Sequence, residues 1–166
     1  MKVLVAFASK HGSTAGVAQS IAVQLRMEDL DVDQRDAKDV TSIEGYDGVI
    51  LGSAVYMGKL LPEARAFVEA HRAQLNNIPV WLFSSGPIGA PDPKPHAEAA
   101  DVEALVQAIH ARDHKVFAGK LDKRELGLGE RLVAKLAGAQ GGDFRNRDAI
   151  ESWAHDIAHE LIAQRV

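Results

Sequence analysis

The sequence predicts an α/β fold in which a doubly wound parallel sheet carries helices on both faces. Short apolar runs such as Lys2–Ala8 lack polar alternation, which is typical of strands covered on both faces. Helical stripes separate these runs, and Val17, Ile21 and Leu25 recur at four-residue spacing in the first of them. Strands that alternate with helices in this way favour a doubly wound sheet.

Five strands are expected, at residues 2–8, 31–36, 47–53, 79–85 and 115–121. Helices are expected at 14–26, 62–75 and 102–109, then at 128–136, and finally after Asn146, which is a suitable N-cap. The stretch between the second and third strands shows no clear helical stripe. The 166 residues are enough for one hydrophobic core, so we predict a single domain over residues 1–166.

Composition excludes several classes of function. The chain has no cysteine, which rules out thiol catalysis, disulfides and cysteine-ligated iron–sulfur clusters and suits a reducing cytoplasm. The formal net charge is −4, with acids and bases mixed, so no nucleic-acid partner is expected. No apolar stretch approaches the roughly 20 residues of a membrane span. The apolar run at the start of the sequence is too short for the apolar region of a signal peptide. We therefore expect a cytoplasmic protein.

The turn after the first strand is the first candidate ligand site, because ligands of open parallel sheets bind beyond the carboxyl ends of the strands. It is rich in hydroxyls and leads directly into a helix, whose free N–H groups attract anions. Its residues are Ser9, Lys10, His11, Gly12, Ser13 and Thr14. We interpret it as a phosphate-binding turn, although Ser13 or Thr14 would also serve as a plain helix cap. Gly12 and Gly16 fit neither a Walker A nor a dinucleotide-binding motif.

Two further turns are expected at the same edge. The turn after the third strand offers Tyr56 to stack on a flat heterocycle, among Ala54, Val55, Met57 and Gly58. The alternative is a surface tyrosine in an ordinary loop. The turn after the fourth strand contains small residues that would let its backbone approach the edge of a ring: Ser84, Ser85, Gly86, Pro87, Ile88 and Gly89. The alternative there is a proline-rich connector.

Together the three turns resemble those of the flavodoxin-like family, and within it the small quinone-dependent protoporphyrinogen oxidase-type flavoproteins. Residues 9–14 resemble the flavodoxin phosphate loop, although His11 departs from its central threonine. Residues 46–53, 56–58 and 118–121 resemble the oxidase-type group. The resemblance implies a five-stranded parallel sheet in the order 2-1-3-4-5 and bound FMN, with the residues of the three turns as its binding site.

The resemblance also implies a function in electron transfer or oxidoreduction through FMN. The alternative is a menaquinone-dependent protoporphyrinogen IX oxidase of haem biosynthesis. An FMN-dependent oxidoreductase is favoured over a pure electron carrier. The acceptor would be a redox partner protein, a quinone or a small molecule. Because the flavin carries the electrons, no residue is expected to be catalytic. Residues 122–131 contain no aromatic, and their acids offset their bases, so membrane association would be peripheral at most.

Two other classes of function have weaker support. His155 and His159 lie at i and i+4 on the last helix, a spacing that can hold a metal. Asp156 replaces the glutamate of a zinc-protease motif, and no third ligand follows before Val166. We therefore expect no metal site. A binding module that has lost its flavin is supported only by His11.

Overall fold

The computed structural model describes residues 1–56, 59–86, 100–118, 120–121, 127–128, 132, 142–143 and 145–165. The strands are β1 (Lys2–Ala8), β2 (Asp31–Asp36), β3 (Gly48–Tyr56), β4 (Lys59–Leu60), β5 (Val80–Ser85), β6 (His114–Phe117), β7 (Lys120–Leu121) and β8 (Gly142–Asp143). The helices are α1 (Ser13–Met27), α2 (Pro62–Leu75), α3 (Ala100–Ala108) and α4 (Arg147–Ala163), with a 3₁₀ turn at Ala37–Asp39.

The main sheet has the parallel order β2-β1-β3-β5-β6. Counting its parallel strands along the chain gives 2-1-3-4-5, so the expected order is confirmed. The fifth predicted strand is interrupted: β6 ends at Phe117, and β7 pairs instead with β8 in a separate antiparallel ribbon. The expected strand over 115–121 was therefore too long.

Side chains alternate between two cores, one on each face of the sheet. Val3 and Val5 of β1 pack on the face covered by α1 and α4. Leu4 and Ala6 point to the other face, where α2 packs. This period-2 pattern follows from strand geometry, and because both faces are apolar the strands read as continuous apolar runs. Helices on both faces of the sheet are thus confirmed.

β3 is longer than the sequence indicated. It continues to Tyr56 because β4 returns antiparallel beside it, pairing Leu60 with Val55 and Lys59 with Tyr56. Three residues that the sequence places in a turn therefore lie on a strand, and the prediction of a turn is wrong for them: Ala54, Val55 and Tyr56. The backbone hydrogen bonds of the hairpin fix the direction in which these side chains point.

The ends of the other elements agree with the sequence where the structure describes them. The Asn146 side chain caps α4, because its Oδ1 accepts a hydrogen bond of 3.1 Å from the Ala149 N–H. Pro62 occupies the first turn of α2. The predicted helix over 128–136 falls outside the described residues except for Leu128 and Leu132, which are helical and exposed. Residues 87–99 also fall outside them.

A polar cluster links the edge strand β2 to the start of β3. The Tyr46 hydroxyl donates a 2.6 Å hydrogen bond to Asp33 Oδ2, and Lys2 Nζ lies 3.2 Å from the same oxygen. The Tyr46 hydrogen bond, followed by that of Lys2, holds the pKa of Asp33 below its ordinary value of 3.8. A depressed carboxyl pKa contributes stability above the unfolded pKa, and that stability is lost as the pH falls through the folded value.

Tyr46→Phe should therefore reduce the free energy of unfolding by about 1–2 kcal/mol at pH 7. The deficit should begin to shrink as the pH falls below about 4 and should disappear once Asp33 is protonated in the folded protein, below its lowered pKa. Urea unfolding of both proteins at pH 7 and pH 3 measures the difference. An equal deficit at the two pH values would contradict this assignment.

Candidate functional site

Gly12 shapes the turn between β1 and α1. It is the N-cap of α1 and has φ = 79°, in the left-handed region where glycine carries no steric cost. Its N–H donates a 3.1 Å hydrogen bond to Ser9 Oγ, which closes the turn. No side-chain hydrogen bond caps the start of α1 in the part of the chain that the structure describes. The N-cap residue is thus Gly12, and Ser13 and Thr14 follow it within the helix.

Thr14 carries a buried hydroxyl in the first turn of α1. The residue is fully buried, and its Oγ1 has no hydrogen-bond partner among the described residues. A buried polar atom without a partner costs about 1–3 kcal/mol, so proteins rarely retain one without a reason. An oxyanion seated on the helix N-terminus would accept this hydrogen bond together with those of the free N–H groups. The turn therefore fits the phosphate of FMN.

The three predicted segments meet at one edge of the sheet. Ser13 Oγ at the start of α1 lies 3.4 Å from Ser85 Oγ at the end of β5. Lys10 Nζ lies 4.4 Å from the centroid of the Tyr56 ring at the end of β3. A cation at this distance is attracted by the face of the ring. The phosphate turn is thus joined to both of the other predicted segments.

Some predicted residues lie apart from this edge or outside the described residues. Ser84 is buried, and its Oγ lies 3.0 Å from His114 Nε2, whereas the neighbouring Ser85 points towards α1. Ala54 and Val55 are half-buried on β3. Gly86 has φ = 136°, and its N–H donates to Phe117 O at 3.0 Å. Outside the described residues lie Met57, Gly58, Pro87, Ile88 and Gly89.

Arg145 joins the site without having been predicted from the sequence. Its guanidinium occupies the position that a Cβ on Gly16 would take, at the end of the first turn of α1. This places a cation beside the helix end that we assign to phosphate. The feature of the sequence that could have indicated this contact is Gly16. Glycine within a helix costs about 1 kcal/mol of stability relative to alanine, so its presence suggests that another group packs closely against the helix there.

The site has no acidic side chain among its predicted residues, while Lys10 and Arg145 supply positive charge. The helix N-terminus adds a partial positive charge. The arrangement can hold a dianionic phosphate at the α1 turn and an aromatic ring near Tyr56. Fold and site together define a doubly wound α/β protein that binds a phosphate-bearing aromatic cofactor at the carboxyl edge of its sheet.

Comparison with known proteins identifies the family. Residues 4–146 match the family described as a flavodoxin domain, and the chain belongs to that family. The protein is thus a flavoprotein that binds FMN and transfers electrons to redox partners. Among the helices that the structure describes, none is long and apolar enough to cross a membrane.

Individual relatives cover almost the whole chain. The protoporphyrinogen IX dehydrogenase [quinone] of Escherichia coli strain K12 is 26% identical, over 96% of both chains. A flavodoxin from the domain Archaea superposes with a TM-score of 0.67 at 15% identity, over 97% of this chain and 99% of that one. Oxidised flavodoxin 2 from Bacillus cereus superposes with a TM-score of 0.62 at 22% identity, over 96% of this chain and 99% of that one. The two structures confirm the fold.

Proposed function

We propose that this flavodoxin-family protein is an FMN-dependent oxidoreductase that delivers electrons to a quinone or another small-molecule acceptor, and that it works in the cytoplasm. The observation that carries the cofactor site is the buried Thr14 hydroxyl, which has no partner among the described residues at an N-terminus shaped for an anion. Bound FMN supplies the redox chemistry, and the chain supplies binding, orientation and charge.

Each residue of the phosphate turn has a distinct role in this proposal. Ser9 holds the turn closed through its hydrogen bond from Gly12, and the left-handed Gly12 directs the chain into α1. Ser13 and Thr14 donate hydroxyl hydrogen bonds to the phosphate. Their neighbours Lys10 and His11 complete the turn, and Arg145 neutralises charge from outside it. Neutral and cationic donors together match a phosphomonoester.

The ring-binding part of the site uses residues from two strands. Tyr56 would cover one face of the flavin ring, with residues 54–58 around it. Ser85 and Gly86, followed by residues 87–89, would line another edge through their backbone groups. The contact between Lys10 and Tyr56 supports this assignment, because it brings the turn before α1 next to the tyrosine. Because the Ser84 hydroxyl faces His114, a contact of Ser84 with the cofactor would be made by its backbone.

Charge favours an oxidoreductase over a low-potential carrier. Reduced flavin tends to become an anion, and nearby acids would make that anion less stable. None of the assigned residues is acidic, and Lys10 lies beside Tyr56. A cation in this position stabilises added negative charge through Coulomb attraction. We therefore expect a less negative midpoint potential for the fully reduced flavin than typical flavodoxins have.

Reoxidation of the FMN-loaded protein tests this function. The purified chain should bind FMN, keep it through gel filtration and, once reduced under anaerobic conditions, be reoxidised rapidly by menadione. Redox titration of the same sample should give a two-electron transition. Failure to bind micromolar FMN would overturn the whole proposal. Retained FMN with a potential as low as that of a typical flavodoxin and no reaction with menadione would overturn the oxidoreductase part alone.

A second candidate function is menaquinone-linked oxidation of protoporphyrinogen IX. It is supported by the 26% identity to the Escherichia coli protoporphyrinogen IX dehydrogenase [quinone] along 96% of both chains. Anaerobic incubation of the holoprotein with protoporphyrinogen and menadione discriminates the two candidates through the fluorescence of the porphyrin product. Rapid reoxidation of the chemically reduced holoprotein by menadione, with no porphyrin formed when protoporphyrinogen is the only electron donor, would support the first.

A further inference from the structure

Two histidines and a glutamate come together where the end of α1 meets α4. Glu28 follows α1 as its C-cap residue, and His155 and His159 lie one turn apart on α4. His155 Nδ1 is 2.7 Å from Glu28 Oε1, and the two imidazole centroids are 4.3 Å apart. One candidate ligand atom from each of the three side chains lies within 4.8 Å of the other two.

We propose that Glu28, His155 and His159 form a binding site for a divalent transition-metal ion, with Zn²⁺ as the best match. Two imidazole nitrogens and one carboxylate oxygen are a donor set that zinc accepts, and three protein ligands leave a fourth position for water. Mg²⁺ and Ca²⁺ prefer oxygen donors and are excluded by the imidazoles. The i, i+4 spacing puts both rings on one face of α4.

The side chains are already arranged for such an ion. Glu28 is fixed from a second side by Gln24, whose Nε2 donates to Oε1 at 3.2 Å. This outer contact orients the carboxylate in the way that supporting residues orient metal ligands. His155 is 48% exposed and Glu28 25% exposed, so an ion in solution can reach them.

The sequence alone suggested two ligands and no third. The third ligand does not follow His159 but lies 127 residues before His155, because α1 and α4 pack side by side on one face of the sheet. The metal would tie these two helices together. It would sit at the C-terminal end of α1, about 20 Å along the 15-residue helix from the phosphate turn. Zinc binding should therefore be independent of FMN binding.

Thermal unfolding and calorimetric titration of the untagged full-length protein with ZnCl₂ test the site. Near-stoichiometric binding should raise the melting temperature by about 5 °C at saturation, whereas MgCl₂ should not change it. Glu28→Gln, His155→Gln and His159→Gln should each weaken zinc binding about 10-fold or more. His110→Asn removes an exposed histidine elsewhere, at φ = 49° where asparagine is tolerated, and should bind zinc like the wild type.

The proposal is overturned if zinc leaves the wild-type melting temperature unchanged, or if Glu28→Gln binds zinc as tightly as the wild type. It is also overturned if the histidine variants keep full affinity. Far-UV circular dichroism and FMN titration show whether each variant is folded. Should a histidine variant fail to fold, Co²⁺ added to the wild type decides by its visible absorption, which must show nitrogen and oxygen ligation and must be lost in Glu28→Gln.

Discussion

Replacing Thr14 with valine should weaken FMN binding about 10- to 100-fold and leave the FMN-free protein as stable as the wild type, or more stable by about 1 kcal/mol. The two effects have opposite signs because the hydroxyl is buried without a partner among the described residues. Among the described residues nothing accepts a hydrogen bond from this hydroxyl, so when FMN is not bound a methyl group of similar volume should replace it at little cost. In the loaded protein it is assigned a charge-assisted hydrogen bond, which valine cannot make.

Titration of FMN by the quenching of its fluorescence measures the affinity, and urea unfolding of the FMN-free protein measures the stability. Thr41→Val is the matched control, since Thr41 is exposed and lies outside the site. It should change neither quantity by more than about 0.5 kcal/mol. Unchanged FMN affinity in Thr14→Val would remove Thr14 from the site. A loss of stability above about 1 kcal/mol without FMN would show that the hydroxyl serves the fold.

Gly52→Ala should destabilise the protein by about 3 kcal/mol, the upper range for overpacking a core. A Cβ on Gly52 of β3 would overlap the ring of Phe83, its neighbour in register on β5. The ring cannot easily retreat, because Phe117 and Trp153 pack against it at centroid distances of 6.2 and 6.3 Å. Phe83 is only 2% exposed, so the clash cannot be relieved into solvent.

A double-mutant cycle isolates this clash from other effects. Phe83→Leu alone should cost stability through lost burial, but it also makes room for a methyl group on residue 52. The cost of Gly52→Ala should therefore fall by at least about 1 kcal/mol in the Phe83→Leu background. Strict additivity of the two costs in urea unfolding would contradict the overlap. Gly45→Ala is a useful comparison, because nothing lies within 4 Å of that Cβ and only its φ of 84° is strained.

Much of the fold could be predicted because apolar runs and helical stripes are local signals. The phosphate turn was also predictable, since its hydroxyls and Gly12 are contiguous. The extension of β3 was missed because its partner β4 has two residues, too few to show any pattern. Strand alternation could have separated Ser84 from Ser85, because neighbouring residues of a strand face opposite sides.

Contacts between distant segments left no comparable trace in the sequence. Arg145 beside Gly16 and Glu28 beside His155 each depend on how the far end of the chain returns to α1. A glycine within a helix can indicate that another residue packs against it, and a pair of histidines can indicate that a third ligand lies nearby. Neither can say which residue supplies it, because helix packing and not spacing along the chain decides that.

The position of β1 between β2 and β3 has a consequence for how the protein is made. β1 is synthesised first, but Val3 can pair with Gly48 only after β3 has been made. Val49 of β3 can in turn pair with Val80 only after β5 has been made. Such non-local pairings slow folding, and a nascent chain cannot complete them until the later strands have left the ribosome. The phosphate turn, although near the start of the chain, gains the support of Ser85 only after half the protein has been translated. The complete cofactor site therefore cannot form until at least the first half of the chain has been made.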